Sequence, residues 1–385
     1  MKFLRRLFEK RDRALSHSDL FLRGADIDVG VTPWAAENLS GVMACVSAIS
    51  TCVASVPIYV YRENQKGRVL VEGHPVTRMI RNGPNANQTM PDFVEWYVRQ
   101  VLLHGNAVAE ILVDGAGRLS GLKPVPWENL SIQVLPSGRL AYDIVEATSL
   151  GGVAGRRRRL LADDVIHLRD ASDDGVVGRS RLQRAAAVVS GGLHVQQFSS
   201  SLFRNGVHPS GVLMAEGRLS TEALSRLQEH FRQTFSGSRN AARALVLDSG
   251  LKWTSVSISP EDAELLQSRR FTVEEICRIY QVPPPIIQDY QFNTFTNSES
   301  AGRWFCQFTI TPWVRKIEAA FNRSIFSDPA FHLEFDLSGF LRGDPETRWK
   351  SHEIAVKNGI LAVNEIRGLE GWDPRQEVSD VPPQE

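Results

Sequence analysis

Three consecutive prolines, Pro283-Pro284-Pro285, close a segment whose start is equally well marked. Ser259 is an N-cap residue, Pro260 suits the first helical position, and Glu261 and Asp262 put acid where the helix dipole is positive. A helix is therefore predicted over 259–282, ending where proline removes backbone donors. Behind the prolines, IIQDYQFNTFTNSES carries exposed-looking Ile286, Ile287, Tyr290, Phe292 and Phe295 among polar residues. A long helix from Glu299 to Ile325 follows, with a kink expected at Pro312.

A matching helix precedes this region. Leu182, Ala186, Val189, Leu193 and Phe198 recur near helical spacing between Ser180 and Asn205, and Asn205-Gly206 is a stop signal. Between the two helices lie a shorter amphipathic helix over Leu219 to Phe235, capped by Ser220, and the strands RALVLD and LKWTSVSI, joined at Ser249-Gly250. The pattern is helix, small α/β insert, helix.

The first half mixes helices with short strands. Leu39 to Val56 reads as a helix whose Gly41, Ala44, Ala48 and Ala54 permit close packing, and it leads into a β-rich run from Val56 to Tyr61. An Asn/Pro-rich loop (82–88) precedes a helix with Pro91 at its start, Asp92 and Glu95 in its first turn, and a stripe of Phe93, Tyr97, Val101 and Leu102. Hairpins are predicted at Asp114-Gly115 and at Pro136-Ser137-Gly138. GAGRLSG (115–121) reads as a turn, not a nucleotide loop, and Arg156 to Arg159 beside Gly151, Gly152 and Gly155 as a solvated loop. After Ile325 come the strand FHLEFDL, two short helices and a polar, Pro-rich end. The fold class is α+β and multidomain.

Composition limits the partners. The 44 basic and 44 acidic side chains cancel, so a strong phosphate grip of the kind that shows as a basic excess is not expected. Cys45, Cys52, Cys277 and Cys306 lack metal-ligand spacing and read as buried free thiols, which suits folding in a reducing compartment. Serines interrupt the most apolar stretch, Leu39 to Val56, so no membrane span is expected. The opening MKFLRRLFEKR lacks the apolar core of a signal peptide and reads as an arm over 1–30.

The motifs of catalysis are absent. There is no G-x-x-x-x-G-K-[ST] loop to cradle phosphates, no G-x-S-x-G elbow and no H-E-x-x-H pair. His104 and His167 sit in apolar stretches and read as satisfied core or loop residues, while Asp163-Asp164 and Asp173-Asp174 read as solvated acids. No catalytic residue, metal ligand or cofactor is expected.

The order of segments carries a resemblance. ENLSGVMACVSAISTCVASVPIYVY, His74-Pro75, LLHGNAVAEI, DDVIHLR with GVVGRSRL, and FRNGVHPSGVL are followed by ISPEDAELLQSRRFTVEEICRIYQVPPPIIQDY, FTNSE and TPWVRKIEAAFNRSIF. From Glu37 to Pro374 the chain resembles the HK97-type portal proteins of tailed bacteriophages and gene transfer agents. The resemblance implies a portal fold assembled as a ring of typically about twelve subunits, closed by contacts between unlike faces. It implies a wing (31–179 and 299–340), stem helices (180–206 and 259–282), a small α/β clip (207–258), a tunnel loop (283–298) and a crown with C-terminal tail (341–385). The expected tunnel-loop residues are Ile286, Ile287, Gln288, Tyr290, Phe292, Asn293 and Phe295; the expected stem surface is Glu261, Glu264, Arg269, Arg270 and Glu274. Implied partners are the large terminase, the major capsid protein, a head–tail adaptor and double-stranded DNA passing without sequence readout. The competing readings are another head or tail adaptor, or a packaging nuclease or ATPase.

Overall fold

The computed structural model describes residues 31–65, 67–146, 156–204, 211–215, 251–255, 271–289, 295–341, 345–370 and 372–375. The chain divides into two compact units, Met1–Phe335 and Asp336–Glu385.

The first unit opens with α1 (Pro33–Glu37) and α2 (Ser40–Ala54). Helix α2 carries no charged residue and buries Val42, Cys45, Val46, Ile49 and Val53 on one face, at the spacing of a helical stripe. Strands β1 (Ile58–Asn64) and β2 (Gly67–Leu70) and helix α3 (Pro75–Asn82) follow. Helix α4 (Met90–His104) begins with a capping box, in which Thr89 and Asp92 satisfy each other's backbone amides, and ends at Gly105 in the left-handed region. Its stripe is buried as expected: Phe93 stacks on Tyr97 at 5.8 Å between centroids, and Tyr97 donates to the Ile166 carbonyl at 3.2 Å.

Two antiparallel three-stranded sheets come next. β3 (Asn106–Val113) lies between β4 (Leu119–Val125) and β8 (Val165–Arg169); β6 (Leu140–Glu146) lies between β5 (Leu130–Val134) and β7 (Arg156–Leu161). Both predicted hairpins are present, and the Asp114 carboxylate accepts from the Ala116 and Arg118 amides to hold the first turn. The sheets share a core of Val108, Val125, Trp127, Ile132, Tyr142 and Leu160. The arginine run is a correction: it forms strand β7, not a loop. Arg158 pairs with the buried Glu110 of β3 and with Glu146, and Arg159 pairs with Asp143, so carboxylates on β3 and β6 take up the charge of these two arginines.

His167 on β8 is satisfied between the Tyr142 hydroxyl and the Asn106 side-chain oxygen, each at 3.0 Å. Burial, reinforced by Arg169, holds its pKa well below 6.5. Below pH 6.5 the unfolded chain therefore binds a proton that the folded chain refuses, so stability present at neutral pH is lost on acidification. Urea unfolding at about pH 7 and about pH 5 should show His167→Gln gaining stability relative to wild type on acidification. Parallel pH curves would remove His167 as the titrating group.

The helical half begins with α5 (Arg181–Arg184), capped by Ser180, and α6 (Ala186–Arg204). The predicted single helix is thus broken at Ala185, whose φ of −113° and ψ of 28° depart from helical values. β9 (Gly211–Ala215) pairs antiparallel with β10 (Leu251–Ser255); the predicted helix at 219–235 and strand RALVLD lie outside the described residues. Residues 271–280 form α7, and the prolines continue as a 3-10 turn, Pro284–Ile287. Helix α8 (Phe295–Phe305) passes through a π-helical segment, Cys306–Ile310, into α9 (Thr311–Ile325). The irregularity expected at Pro312 thus falls on the turn before it: proline has no N–H to donate backwards, and Thr311 donates from backbone and hydroxyl to the Cys306 carbonyl. Trp313, Val314, Ile317 and Phe321 of α9 are buried, and Phe321 meets Tyr97 edge-on at 5.8 Å. β11 (Phe331–Phe335) then pairs with β1, joining the end of the unit to its beginning.

Among the described residues the second unit contains α10 (Ser338–Leu341), α11 (Pro345–Lys357) and α12 (Val363–Leu369), where two short helices were expected. Glu370 pairs with Arg348 and His352, each at 3.0 Å, while Ile354, Ile360, Val363 and Leu369 stay exposed.

Candidate functional site

Helix α7, the proline turn and α8 form one structural joint. Asp170, at the end of β8, is buried and pairs with Arg181 of α5 at 2.9 Å and with Lys316 of α9 at 3.4 Å. Arg181 also donates to the Ile279 carbonyl of α7 at 3.0 Å and lies 5.3 Å over the Trp313 ring. One carboxylate thus ties the sheet to three helices. Neither residue was singled out from sequence, although both stand in or beside the quoted DDVIHLR and GVVGRSRL segments.

The same helix packs tightly on its neighbours. A β-carbon at Gly41 of α2 would come within 3.3 Å of Ile276, and one at Gly192 of α6 within 2.7 Å of Thr272. Cys45 of α2 and Cys277 of α7 are both buried and hydrogen-bonded to each other; that bond and burial push the Cys45 thiol far up. Burial pushes the half-buried Cys52 thiol up to about 11, so Cys45 and Cys52 stay protonated at neutral pH.

Past Tyr280 the backbone reverses sharply. Gln281 has φ 59°, the Val282 amide donates to the Cys277 carbonyl at 2.9 Å, and Thr309 of the π segment donates to the Gln281 carbonyl. The prolines then turn the chain, and Gln288, with φ 66°, ends that turn. Between α7, the turn and α8 lies an apolar hollow of about 670 Å³, walled by Cys277, Val282, Pro283, Pro284, Ala301 and Trp304. Trp304 and Phe308 remain about half exposed beside it.

The sequence-predicted residues fall unevenly on this joint. Ile286 and Ile287 sit on the 3-10 turn but are half-buried, because that turn packs on α2 and α8; Gln288 is exposed. Phe295 starts α8. Glu274 lies on α7 and pairs with Arg278 one turn on, at 2.9 Å. Tyr290, Phe292, Asn293, Glu261, Glu264, Arg269 and Arg270 lie outside the described residues. Among the described residues no group of His, Cys, Asp and Glu is placed to hold a metal ion, and no helix is long and apolar enough to cross a membrane.

The family model described as "Phage portal protein" matches residues 40–371. The chain is 31% identical over 357 residues to the "Probable portal protein" of Streptomyces phage phiC31, covering 89% of this chain and 77% of that protein. It is 26% identical to the portal protein of Enterobacteria phage HK97 over 345 residues, covering 88% and 79%. Among solved structures it is similar to a chain from the neck of an empty gene transfer agent particle computed with C6 symmetry. There the TM-score is 0.64 at 24% identity, covering 92% of this chain and 98% of that one. A crystal structure of an HK97 family phage portal protein from Corynebacterium diphtheriae gives a TM-score of 0.56 at 16% identity, covering 82% and 100%.

Proposed function

The chain belongs to the phage portal protein family, and from that premise we propose that it is the portal subunit of a tailed-phage or gene-transfer-agent particle. Copies close into a ring at one capsid vertex, and double-stranded DNA enters and leaves through it. The observation that carries this reading is the family match across residues 40–371, which takes in α2 through α12. The role is structural: the ring is a conduit and a docking platform, and the large terminase, major capsid protein and head–tail adaptor are its proposed partners in the virion.

The physical chemistry suits a conduit. Translocation favours weak, replaceable contacts over tight phosphate binding, and the chain's net charge is zero. In this reading α5, α6 and residues 259–282 form the stem, with Glu274 neutralised by Arg278 and with Glu261, Glu264, Arg269 and Arg270 completing the stem surface. The clip is 207–258, the wing 31–179 with 299–340, and the crown 341–385. Residues 283–298 form the tunnel loop, where Ile286, Ile287, Gln288, Tyr290, Phe292, Asn293 and Phe295 build or brace the constriction. Negative-stain images of the purified full chain should show rings with a central hole; monomers or solid discs would favour an adaptor instead.

The isoleucines have a separate test. Replacing Ile286 and Ile287 together with alanine in the assembling particle is expected to leave rings intact and lower the fraction of heads that keep their DNA. Unchanged packaging and retention would remove the constriction role from this turn.

A further inference from the structure

A second concavity opens between the sheets and α9. This cleft of about 920 Å³ is walled by the β5–β6 turn and β6, by β8 with the turn before it, and by the last three turns of α9 with the loop that follows. Four cations line it, Arg139, Arg169, Lys316 and Arg323, against one carboxylate, Asp163, so its charged side chains sum to 4 − 1 = +3 on a chain whose net charge is zero. The end of α9 adds about half a negative charge, which leaves the excess positive.

The cations differ in how far they are already engaged. Arg139 pairs with Asp163 at 3.1 Å, and Lys316 reaches Asp170 at 3.4 Å. Arg169 is anchored: its Nε donates to the Val176 carbonyl at 2.7 Å and one terminal nitrogen to the Tyr142 hydroxyl at 3.3 Å. Arg323 has no hydrogen bond or ion pair among the described residues. Burial pushes the Tyr142 phenol up while Arg169 and Arg323 pull it down, and all three side chains line the same cleft. His167, held neutral in the wall, adds no charge of its own. The arrangement is a wall of fixed donors on three elements, with one arginine free to close on a ligand.

We propose that this cleft binds a multivalent phosphate-class anion, held by Arg169, Arg323 and Lys316. Guanidinium forks match phosphate oxygens two at a time, and a concave wall keeps solvent from screening them fully. Free polyphosphate and the phosphate backbone of DNA share this chemistry. The site is separate from the tunnel loop, so it does not depend on that loop's role.

The test is isothermal titration of the full-length protein with tripolyphosphate at low salt. Saturable binding is expected, weakened by added salt, and weakened at least about tenfold in Arg323→Gln, a change at an exposed side chain with no partner to lose. Lys316→Gln is a second variant, expected to act in the same direction. If a short DNA duplex displaces the tripolyphosphate, the natural source is a nucleic-acid backbone; if it does not, the source is a free anion, and either result supports the site. No binding at low salt, binding unchanged in both variants, or equal binding of polyglutamate lost in the same variants would overturn it, the last in favour of an acidic peptide.

Discussion

Replacing Asp170 with alanine is expected to destabilise the first unit by about 3–5 kcal/mol, the cost of stranding the partner of a buried ion pair. The carboxylate is buried, and its main partner Arg181 is nearly so. Arg181 would keep its bond to the Ile279 carbonyl and its position over Trp313, but its positive charge would face the protein interior uncompensated. Lys316, half exposed, would turn to solvent at little cost. Asp170→Asn preserves shape and one acceptor, so it should recover a minority of the loss. Denaturant midpoints with unchanged slopes measure the effect. A loss under about 1 kcal/mol would mean that the helices hold their places without this anchor.

The Asp170 anchor also marks where sequence reading ends. Helix α4 was legible because its signals are local: Pro91, Asp92 and Glu95 at its start and a stripe of large apolar residues after them. The two hairpins were legible for the same reason. The arginine run was not, because what makes it a strand is its pairing with β6, and what takes up the Arg158 charge is Glu110 on β3, some 48 positions earlier in the chain. Glycines before it suggest a loop, and only the packing of one sheet on the other brings the acid across. Ile286 and Ile287 looked exposed because their sequence neighbours are polar, whereas their burial is decided by α2, more than two hundred residues upstream. The meeting of Cys45 with Cys277 is equally non-local. The cationic cleft has no sequence signature at all, since Arg139, Arg169, Lys316 and Arg323 are separated by up to 147 positions between neighbours. The proposed tunnel loop was found by the ordered family segments rather than by any physical pattern in its residues.

Gly178→Ala should be at least as damaging as the loss of Asp170. A β-carbon there would lie 2.1 Å from the Gly105 carbonyl oxygen and 2.7 Å from both the amide nitrogen and the carbonyl oxygen of Asp170. All three atoms are backbone, so no side chain can swing aside. The obstacles are also held in place. The Asp170 amide donates to the Gly105 carbonyl, and Arg179 donates to the Asp170 carbonyl, each at 2.8 Å. Asn106 clamps Gly178 from both sides, accepting from its amide at 2.7 Å and donating to its carbonyl at 2.8 Å. Ser180, the cap of α5, donates to the Leu103 carbonyl at 2.6 Å. The end of α4, the start of β3, the end of β8 and the start of α5 therefore meet with no space for a methyl group. Opening that junction breaks several of these bonds at about 1 kcal/mol each and leaves their buried donors unpaired at more. The expected loss is more than about 4 kcal/mol, seen as a collapse in thermal midpoint or in soluble yield. Gly138→Ala is the control: it sits in the β5–β6 turn with φ 77° and nothing near its β-carbon, so its cost is the backbone strain alone, about 1 kcal/mol. Equal losses in the two variants would show that strain rather than this crossing dominates. The unequal losses expected here would mean that the close approach of the backbones at Gly178, rather than turn strain, holds the end of β8 and the start of α5 together.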